Sequence, residues 1–172
     1  FLTKYANEIL NMLINDFSNF SFNIGIGNCY SDISSLRKSF YEARVALTMN
    51  IVYGNVNNIL KFKELGIYSI IFSYGNKESL YYFYFKYLGH IREFDKDNDT
   101  EYFKTLISLI DNHFSINKTG KDLYIHYNTV LNRIKNINEL FQLDIENQDC
   151  RINVCISNTI YKFLDKDNNI FD

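Results

Sequence analysis

The chain has 172 residues, of which 47% are hydrophobic and 22% are charged, and its formal net charge is −2 at pH 7. This length allows one domain or two small ones, and the composition is that of a globular protein. No stretch approaches the roughly 18 apolar residues that a membrane-spanning helix needs, so no membrane partner is expected. Because the net charge is close to neutral, any surface that binds nucleic acid must be local.

The cysteines and histidines show no metal-binding pattern. Cys29, Cys150 and Cys155 form no CxxC pair, and the three histidines are scattered. The sequence therefore predicts buried free thiols in a reducing cytoplasm, with no metal and no cofactor. The chain begins with Phe1 and not with Met, so we expect a fragment or processed form of a longer protein.

The first 75 residues alternate between helical and strand patterns, which indicates an α/β arrangement. Two strands are too few for a stable sheet, so further strands are expected upstream or from a partner chain. In chain order, the predicted elements are a helix over 4–16, a strand over 20–28, a helix capped by Ser31 or Asp32, a strand over 59–63 and a helix over 66–74.

The second helix carries the most specific expectations of this region. Its buried face is predicted to be Leu36, Phe40, Ala43 and Leu47. The charged residues Glu42 and Arg44 are predicted to lie on the helix surface. The segment 25–27, Gly-Ile-Gly, lacks the remaining residues of a phosphate-binding loop and is interpreted as a strand end.

From residue 77 onwards the pattern is helical. The aromatic-rich helix 79–91 is predicted to be core or dimer interface, and the polar run 95–100 is predicted to be a linker. Four further helices are predicted, around 103–114, 117–124, 128–141 and 148–164. The predicted organisation is an α/β domain over 1–75, a connecting helix and linker over 76–98, and a helical domain over 99–172.

Residues 115–137 predict two helices joined by a short turn. Gly120 is a small residue where two helices must approach closely, which suits a helix-turn-helix. The second helix has an apolar stripe, formed by Val130, Ile134, Ile137 and Phe141. Asn128 is the best cap by residue type, with His126 as the alternative. The remaining positions, Thr129, Asn132, Arg133 and Asn136, are predicted to be available to solvent or a ligand.

These exposed residue types are suited to nucleic acid. Arginine can bind a guanine edge with two hydrogen bonds, and asparagine can bind adenine in the same way. Between residues 113 and 135, Lys118, Lys121, Arg133 and Lys135 stand against Asp122, so four basic residues and one acidic residue give a local charge of +3. The positive charge therefore lies where a DNA-binding face would need it. An ordinary helical hairpin remains the alternative on pattern alone.

At this point the sequence resembles the PucR/CdaR family of transcription regulators. Residues 126–130, His-Tyr-Asn-Thr-Val, followed by Arg133-Ile134, resemble that family's recognition segment His-Arg-Asn-Thr-(Leu/Val)-x-Tyr-Arg-Leu. Residues 119–124, Thr-Gly-Lys-Asp-Leu-Tyr, are similar to its Thr-Ala-x-x-Leu-Phe. Leu88-Gly89, Phe94-Asp95, Thr105-Leu106, Ile137–Leu140 and Leu143-Asp144 match further landmarks. Tyr127 and Asn132 replace the family's Arg and Tyr, which affects base preference and not the fold.

The amino-terminal half resembles the degenerate GGDEF-like domain that precedes this motif in the same family. The similar segments are 23–27, Asn-Ile-Gly-Ile-Gly, and 36–47, which begins Leu-Arg-Lys-Ser-Phe. Cyclases of the GGDEF type use an acidic metal-binding loop, and no such segment occurs in this chain. The resemblance therefore implies a regulator and not an enzyme.

Taken together, the sequence predicts an α+β protein, in which a partial GGDEF-like α/β unit precedes an all-helical helix-turn-helix domain. The expected partners are double-stranded DNA and a second copy of the chain, with a small-molecule effector sensed upstream and a cytoplasmic location. The alternative is a module that binds a protein or senses a metabolite. The predicted DNA contacts are Lys118, Lys121, His126, Tyr127, Asn128, Thr129, Asn132, Arg133, Lys135 and Asn136.

Overall fold

The structure is a computed structural model, and it describes residues 2–166. The chain divides into two compact units. The first unit comprises the chain up to Ser79 together with the end of the last helix from Lys162, and the second unit is Leu80–Tyr161. The predicted α+β class is confirmed, because a two-stranded parallel sheet precedes a helical region.

The predicted elements are present, with boundaries shifted by a few residues. The helices and strands are α1 (Leu2–Asp16), β1 (Asn23–Ile26), α2 (Leu36–Val52), β2 (Asn58–Lys61), α3 (Ile67–Tyr74), α4 (Lys77–Tyr84), α5 (His90–Asn98), α6 (Tyr102–Asp111), α7 (Ile116–Asp122), α8 (Tyr127–Phe141) and α9 (Gln148–Lys166). A π-helical segment, Phe85–Gly89, joins α4 to α5. Within the described residues, no helix is both long enough and apolar enough to cross a bilayer.

In the first unit, the two strands pair in parallel and α2 packs directly against them. The register joins Asn23 to Asn58 and Ile26 to Lys61. Gly25 and Gly27 make the close approach possible: a Cβ atom on them would lie 2.1 Å from the Ala43 carbonyl oxygen and 2.0 Å from that of Ser39, respectively. The segment 25–27 is therefore a strand that receives a helix, as predicted, and not a phosphate loop.

The prediction for the buried face of α2 is wrong at Leu36, Phe40 and Leu47. Leu36 is 67% exposed and Phe40 is 63% exposed, and Leu47 is exposed as well. Ala43, the fourth predicted residue, is half-buried, and its carbonyl oxygen lies against Gly25. The fully buried apolar side chains of α2 are instead Val45, Ala46 and Met49. A rule that follows the largest apolar side chains selects Leu36 and Phe40 and misses these three.

Two buried polar side chains hold this packing in place. Glu42, predicted as a surface charge, is 2% exposed, and its carboxylate accepts hydrogen bonds from the Asn28 amide (2.8 Å) and the Tyr30 hydroxyl (2.6 Å). Asn50 is fully buried and donates to the Asn58 carbonyl oxygen at 3.0 Å. Both side chains satisfy polar groups at the strand ends, where an unpaired buried group would be costly.

The cysteines are free thiols, as predicted, although not all are buried. Cys29 is exposed, whereas Cys150 and Cys155 are half-buried. Burial raises the pKa of the Cys150 and Cys155 thiols, which disfavours the reactive thiolate form. Among the residues that the structure describes, no cluster of histidine, cysteine and acidic side chains is arranged to hold a metal ion.

In the second unit, the helices pack around an apolar core. Leu88, Ile91, Leu106, Val130, Ile137 and Val154 are fully buried. The aromatic helix contributes Tyr84, which stacks on Tyr161 at 5.3 Å between ring centroids, while Tyr81 and Tyr82 on its other faces are exposed. The helix continues to Asn98, so most of the polar run predicted as a linker is helical.

The first prediction concerns the close approach of α2 to β1. The Gly25→Ala substitution places a methyl group against the α2 backbone, which has no flexible side chain to yield, and should destabilise the first unit by about 3 kcal/mol or more. Gly54→Ala is the control, since its surroundings are open and only its positive φ of 71° is unfavourable, which costs about 1 kcal/mol. Thermal unfolding followed by circular dichroism measures both, and equal losses would contradict the close-packing argument.

Candidate nucleic-acid interface

The predicted motif is formed by α7, a tight turn and α8. The turn is closed by the Ile125 amide, which donates to the Gly120 carbonyl oxygen at 2.9 Å, and by the Tyr124 amide, which donates to that of Lys121 at 3.3 Å. Tyr124 itself has a left-handed backbone conformation, with φ of 56°. This geometry ends α7 and redirects the chain into α8 within four residues, as a helix-turn-helix requires.

Gly120 lies at the closest point of this turn. It is buried, and a Cβ atom there would lie 2.9 Å from the Ile125 carbonyl oxygen and 3.7 Å from Val130 Cγ2. The prediction that a small residue is needed here is confirmed. The tightest constraint comes from the backbone of the turn, and the contact with α8 is an ordinary van der Waals distance.

His126 caps the amino-terminal end of α8. Its backbone is extended, and its Nδ1 atom accepts a hydrogen bond from the Asn128 amide at 3.2 Å. The cap predicted as an alternative is therefore the observed one, and Asn128 lies inside the first turn. Because Nδ1 accepts, the neutral imidazole carries its proton on Nε2, and His126 is exposed.

The buried and exposed faces of α8 separate as predicted at most positions. Val130 and Ile137 are fully buried, while Ile134 and Phe141 are half-buried. The opposite face is polar and open, and the predicted contact residues on it are Tyr127, Asn128, Asn132 and Lys135. Thr129 is half-buried. Lys118 and Lys121 on α7 are exposed too.

Arg133 is the exception, since the expectation that it is free for a ligand is wrong. Its side chain is 21% exposed, and both terminal nitrogens are used within the fold. One donates to the Thr105 hydroxyl at 3.0 Å, and the other donates to the Glu101 carboxylate at 2.8 Å. Thr105 is fully buried, so the guanidinium reaches into the contact between α8 and α6.

The neighbouring position on the same side of α8 is also used. The Asn136 side chain, although the residue is exposed, donates to the Tyr102 hydroxyl at 3.0 Å. Arg133 and Asn136 are three residues apart and therefore lie on one face. Their partners, Glu101, Tyr102 and Thr105, all lie at the amino-terminal end of α6, so this side of α8 faces a neighbouring helix.

The amino-terminal end of α6 is held in turn by Asp95. The Asp95 carboxylate accepts from the Tyr102 amide at 3.0 Å and from the Phe103 amide at 2.7 Å. These two amides belong to the first turn of a helix, where no partner exists within the helix itself. Asp95 was placed in a linker by the sequence analysis, and only its position in the family landmark Phe94-Asp95 could have indicated a role.

Glu101 and Tyr124 are the other residues that the sequence analysis missed. The Arg133 guanidinium, with a smaller effect from Lys104, holds the pKa of the Glu101 carboxyl below its ordinary value. Tyr124 is 95% exposed. Its backbone is left-handed, a conformation that favours glycine or asparagine. The sequence carries no signal for either residue, since each depends on a partner or a conformation set by the tertiary fold.

The pKa of Glu101 predicts how the stability of the second unit depends on pH. A carboxyl whose pKa is lowered by folding stabilises the protein above its ordinary value of 4.5, and this contribution disappears as the pH falls through the lower folded value. Glu101→Gln should therefore lower the melting temperature at pH 7, and the difference from the parent should shrink below pH 4.5.

The control for this experiment is the same substitution in an Arg133→Ala background. There the effect of Glu101→Gln should be much smaller, because only Lys104 remains within 3.2 Å of the carboxylate. Thermal unfolding at a series of pH values measures all four proteins. A difference that stayed constant from pH 7 to pH 3 would contradict the role assigned to the carboxylate charge.

Comparisons with known proteins agree with this geometry. Residues 102–157 match the family model of the PucR C-terminal helix-turn-helix domain, and residues 3–49 match that of the GGDEF-like domain. The first match begins with α6 and ends within α9, so it contains α7, the turn and α8, while Asp95 and Glu101 precede it. No solved structure matches the chain.

Two curated relatives from Bacillus subtilis (strain 168) are transcriptional activators by name. The proline-responsive transcriptional activator PutR is 31% identical over 152 residues, which is 84% of this chain and 36% of PutR. The DNA-binding transcriptional activator AdeR is 29% identical over 125 residues, which is 72% of this chain and 30% of AdeR. The chain thus spans about a third of the length of these relatives. With both domain types present in the predicted order, the chain belongs to the PucR/CdaR family of transcription regulators.

Proposed function

We propose that this chain is the DNA-binding part of a sequence-specific transcription regulator, and that α8 enters the major groove of double-stranded DNA. The observation that carries the proposal is the open polar face of α8, which is backed by a fully buried apolar stripe at Val130 and Ile137. A helix held in this way can present its side chains to base edges without losing its own packing.

Each exposed residue has a distinct role in this proposal. Asn128 and Asn132 offer side-chain amides that suit adenine, and Tyr127 contacts bases or sugar beside them. Lys118, Lys121 and Lys135 bind phosphates and supply affinity without sequence preference. The His126 Nε2–H group and the amides of the first turn of α8, including that of Thr129, favour a phosphate at the helix end. Asn136, which bonds to Tyr102, lies at the margin of this surface.

The wider proposal follows the family. The segment 1–75 is a partial, catalytically inactive GGDEF-like domain, 76–98 connects it to the motif, and 99–172 is the DNA-binding domain. The protein acts in the cytoplasm as a homodimer, because a single helix-turn-helix binds weakly and two gain affinity by contacting half-sites about 34 Å apart. A small-molecule effector is part of the proposal, and no site for it is assigned among the described residues.

The experiment that tests this function is selection of binding sequences from random duplex DNA. The expected result is an enriched site with two related halves, bound with an affinity that falls steeply as salt rises. Binding that is tight and insensitive to salt towards a protein, with none to any duplex, would instead support a protein-interaction module.

The phosphate contacts give a prediction for the lysines. Lys121→Ala and Lys135→Ala should each weaken binding to every duplex alike and reduce the slope of log affinity against log salt by about one. Lys4→Ala is the matched control, since Lys4 is an exposed lysine on α1 outside the motif, and it should leave the slope unchanged. Fluorescence anisotropy at several salt concentrations measures the slopes. Equal slopes for all four proteins would remove these lysines from the interface.

The base contacts give a separate prediction for Asn132. Asn132→Ala should reduce preference at one position of the selected site by about 1–3 kcal/mol, with the salt slope unchanged. The control is Asn11→Ala, an exposed asparagine on α1. Competition between the selected site and its single-base variants measures the preference. An Asn132→Ala protein with unchanged preference at every position would show that this side chain does not contact bases.

A further inference from the structure

We propose that Arg133 is a positioning residue for DNA recognition: through Glu101 and Thr105 it sets the orientation of α8, and it does not itself contact DNA. This inference rests on the proposed function, since it explains how the open face of α8 is held. It assigns a role in DNA binding to Glu101, an acidic residue that would not itself be expected to contact the negatively charged DNA.

The first step of the argument is the geometry of the guanidinium. Its two terminal nitrogens bind two different residues, one in the turn before α6 and one a full turn into that helix, at 2.8 Å and 3.0 Å. The planar guanidinium fixes the angle between these hydrogen bonds, so both form only at one placement of α8 against α6. A single hydrogen bond would restrain the orientation of the helix less than this pair does.

The second step is that the amino-terminal end of α6, which Arg133 binds, is itself held in place. The Thr105 hydroxyl is fully buried and donates to the Glu101 carbonyl oxygen at 2.7 Å. The first turn of α6 is held by the two amide hydrogen bonds of Asp95. Arg133 therefore binds one fixed, buried hydroxyl at Thr105 and one carboxylate at Glu101 that is half exposed.

The third step is the free-energy cost of releasing Arg133 from the fold so that it could contact DNA. For Arg133 to reach a base or a phosphate, both hydrogen bonds must break, and the buried Thr105 hydroxyl would lose a donor. The Glu101 carboxylate would then be left close to the DNA without its arginine partner. Asn132 on the same helix is exposed and needs no such release, and Lys135 leaves only an exposed ion pair with Glu139 at 3.8 Å.

The two roles predict opposite effects for Glu101→Gln. If Arg133 contacted DNA, removing the competing carboxylate would free the arginine and remove a negative charge, so affinity would rise. If Arg133 positions α8, Glu101→Gln weakens its anchor, and affinity for the selected site should fall by about 5-fold to 30-fold relative to random duplex. The sign of the change in affinity caused by Glu101→Gln therefore distinguishes the two roles of Arg133.

The experiment uses the full chain with Arg133→Ala, Glu101→Gln and the exchanged pair Glu101→Arg with Arg133→Glu. Affinity is measured for the selected site and for a random duplex, at a temperature where thermal unfolding shows each variant folded, with the active fraction obtained by stoichiometric titration. A loss of folding alone would lower the active fraction and leave the ratio of the two affinities unchanged.

We expect both single variants to lose affinity for the selected site with the salt slope unchanged, and the exchanged pair to recover part of the loss. A slope lowered by about one in Arg133→Ala, or tighter binding by Glu101→Gln, would overturn the inference and leave the proposed function intact. A ratio of affinities unchanged in both single variants would also overturn it. If the parent bound no duplex at all, the proposed function would fail, and this inference with it.

Discussion

The first turn of α6 is the point on which the DNA-binding unit depends. Its free amides donate hydrogen bonds to the Asp95 carboxylate, and the side chains of Thr105 and of Glu101, the residue before the helix, accept hydrogen bonds from Arg133. A helix end normally leaves such amides to solvent, and here they join α6 to α5, while Arg133 joins α8 to the same place. The apolar core supplies most of the free energy of folding, but it is not directional. The hydrogen bonds at this turn fix how the helices are oriented against one another.

The first unit follows the same principle with different residues. Glycines in β1 bring α2 so close that no large side chain fits between them, and Glu42 and Asn50 bind the backbone of the strands and loops. The large apolar residues Leu36 and Phe40 of α2 are exposed, whereas Val45, Ala46 and Met49 are fully buried. In both units, specificity comes from polar groups placed at the ends of helices and strands, while the apolar side chains fill the remaining space.

Sequence patterns predicted the elements, the motif and its apolar stripe, because these depend on local periodicity and on residue types such as Gly120 and Val130. They failed where a side chain depends on a distant partner. Arg133 was assigned to the ligand because its helical position is outward from the stripe, yet Glu101, 32 residues away, holds it in the fold. Glu42 and Asp95 failed for the same reason, since a charge on a helix is exposed by default unless the tertiary structure supplies donors for it.

Because Arg133 binds Glu101 and Thr105, the DNA-binding surface proposed on α7 and α8 lacks an arginine. With the arginine withdrawn, positive charge at this surface rests on Lys118, Lys121 and Lys135, and the candidates for base contact are neutral amides and a tyrosine. Three phosphate contacts give a salt slope of only about −3 for one copy, too few for tight binding at physiological salt. Under the proposed function, a second copy on a neighbouring half-site would supply the remaining affinity, and the asparagines would supply a preference for adenine.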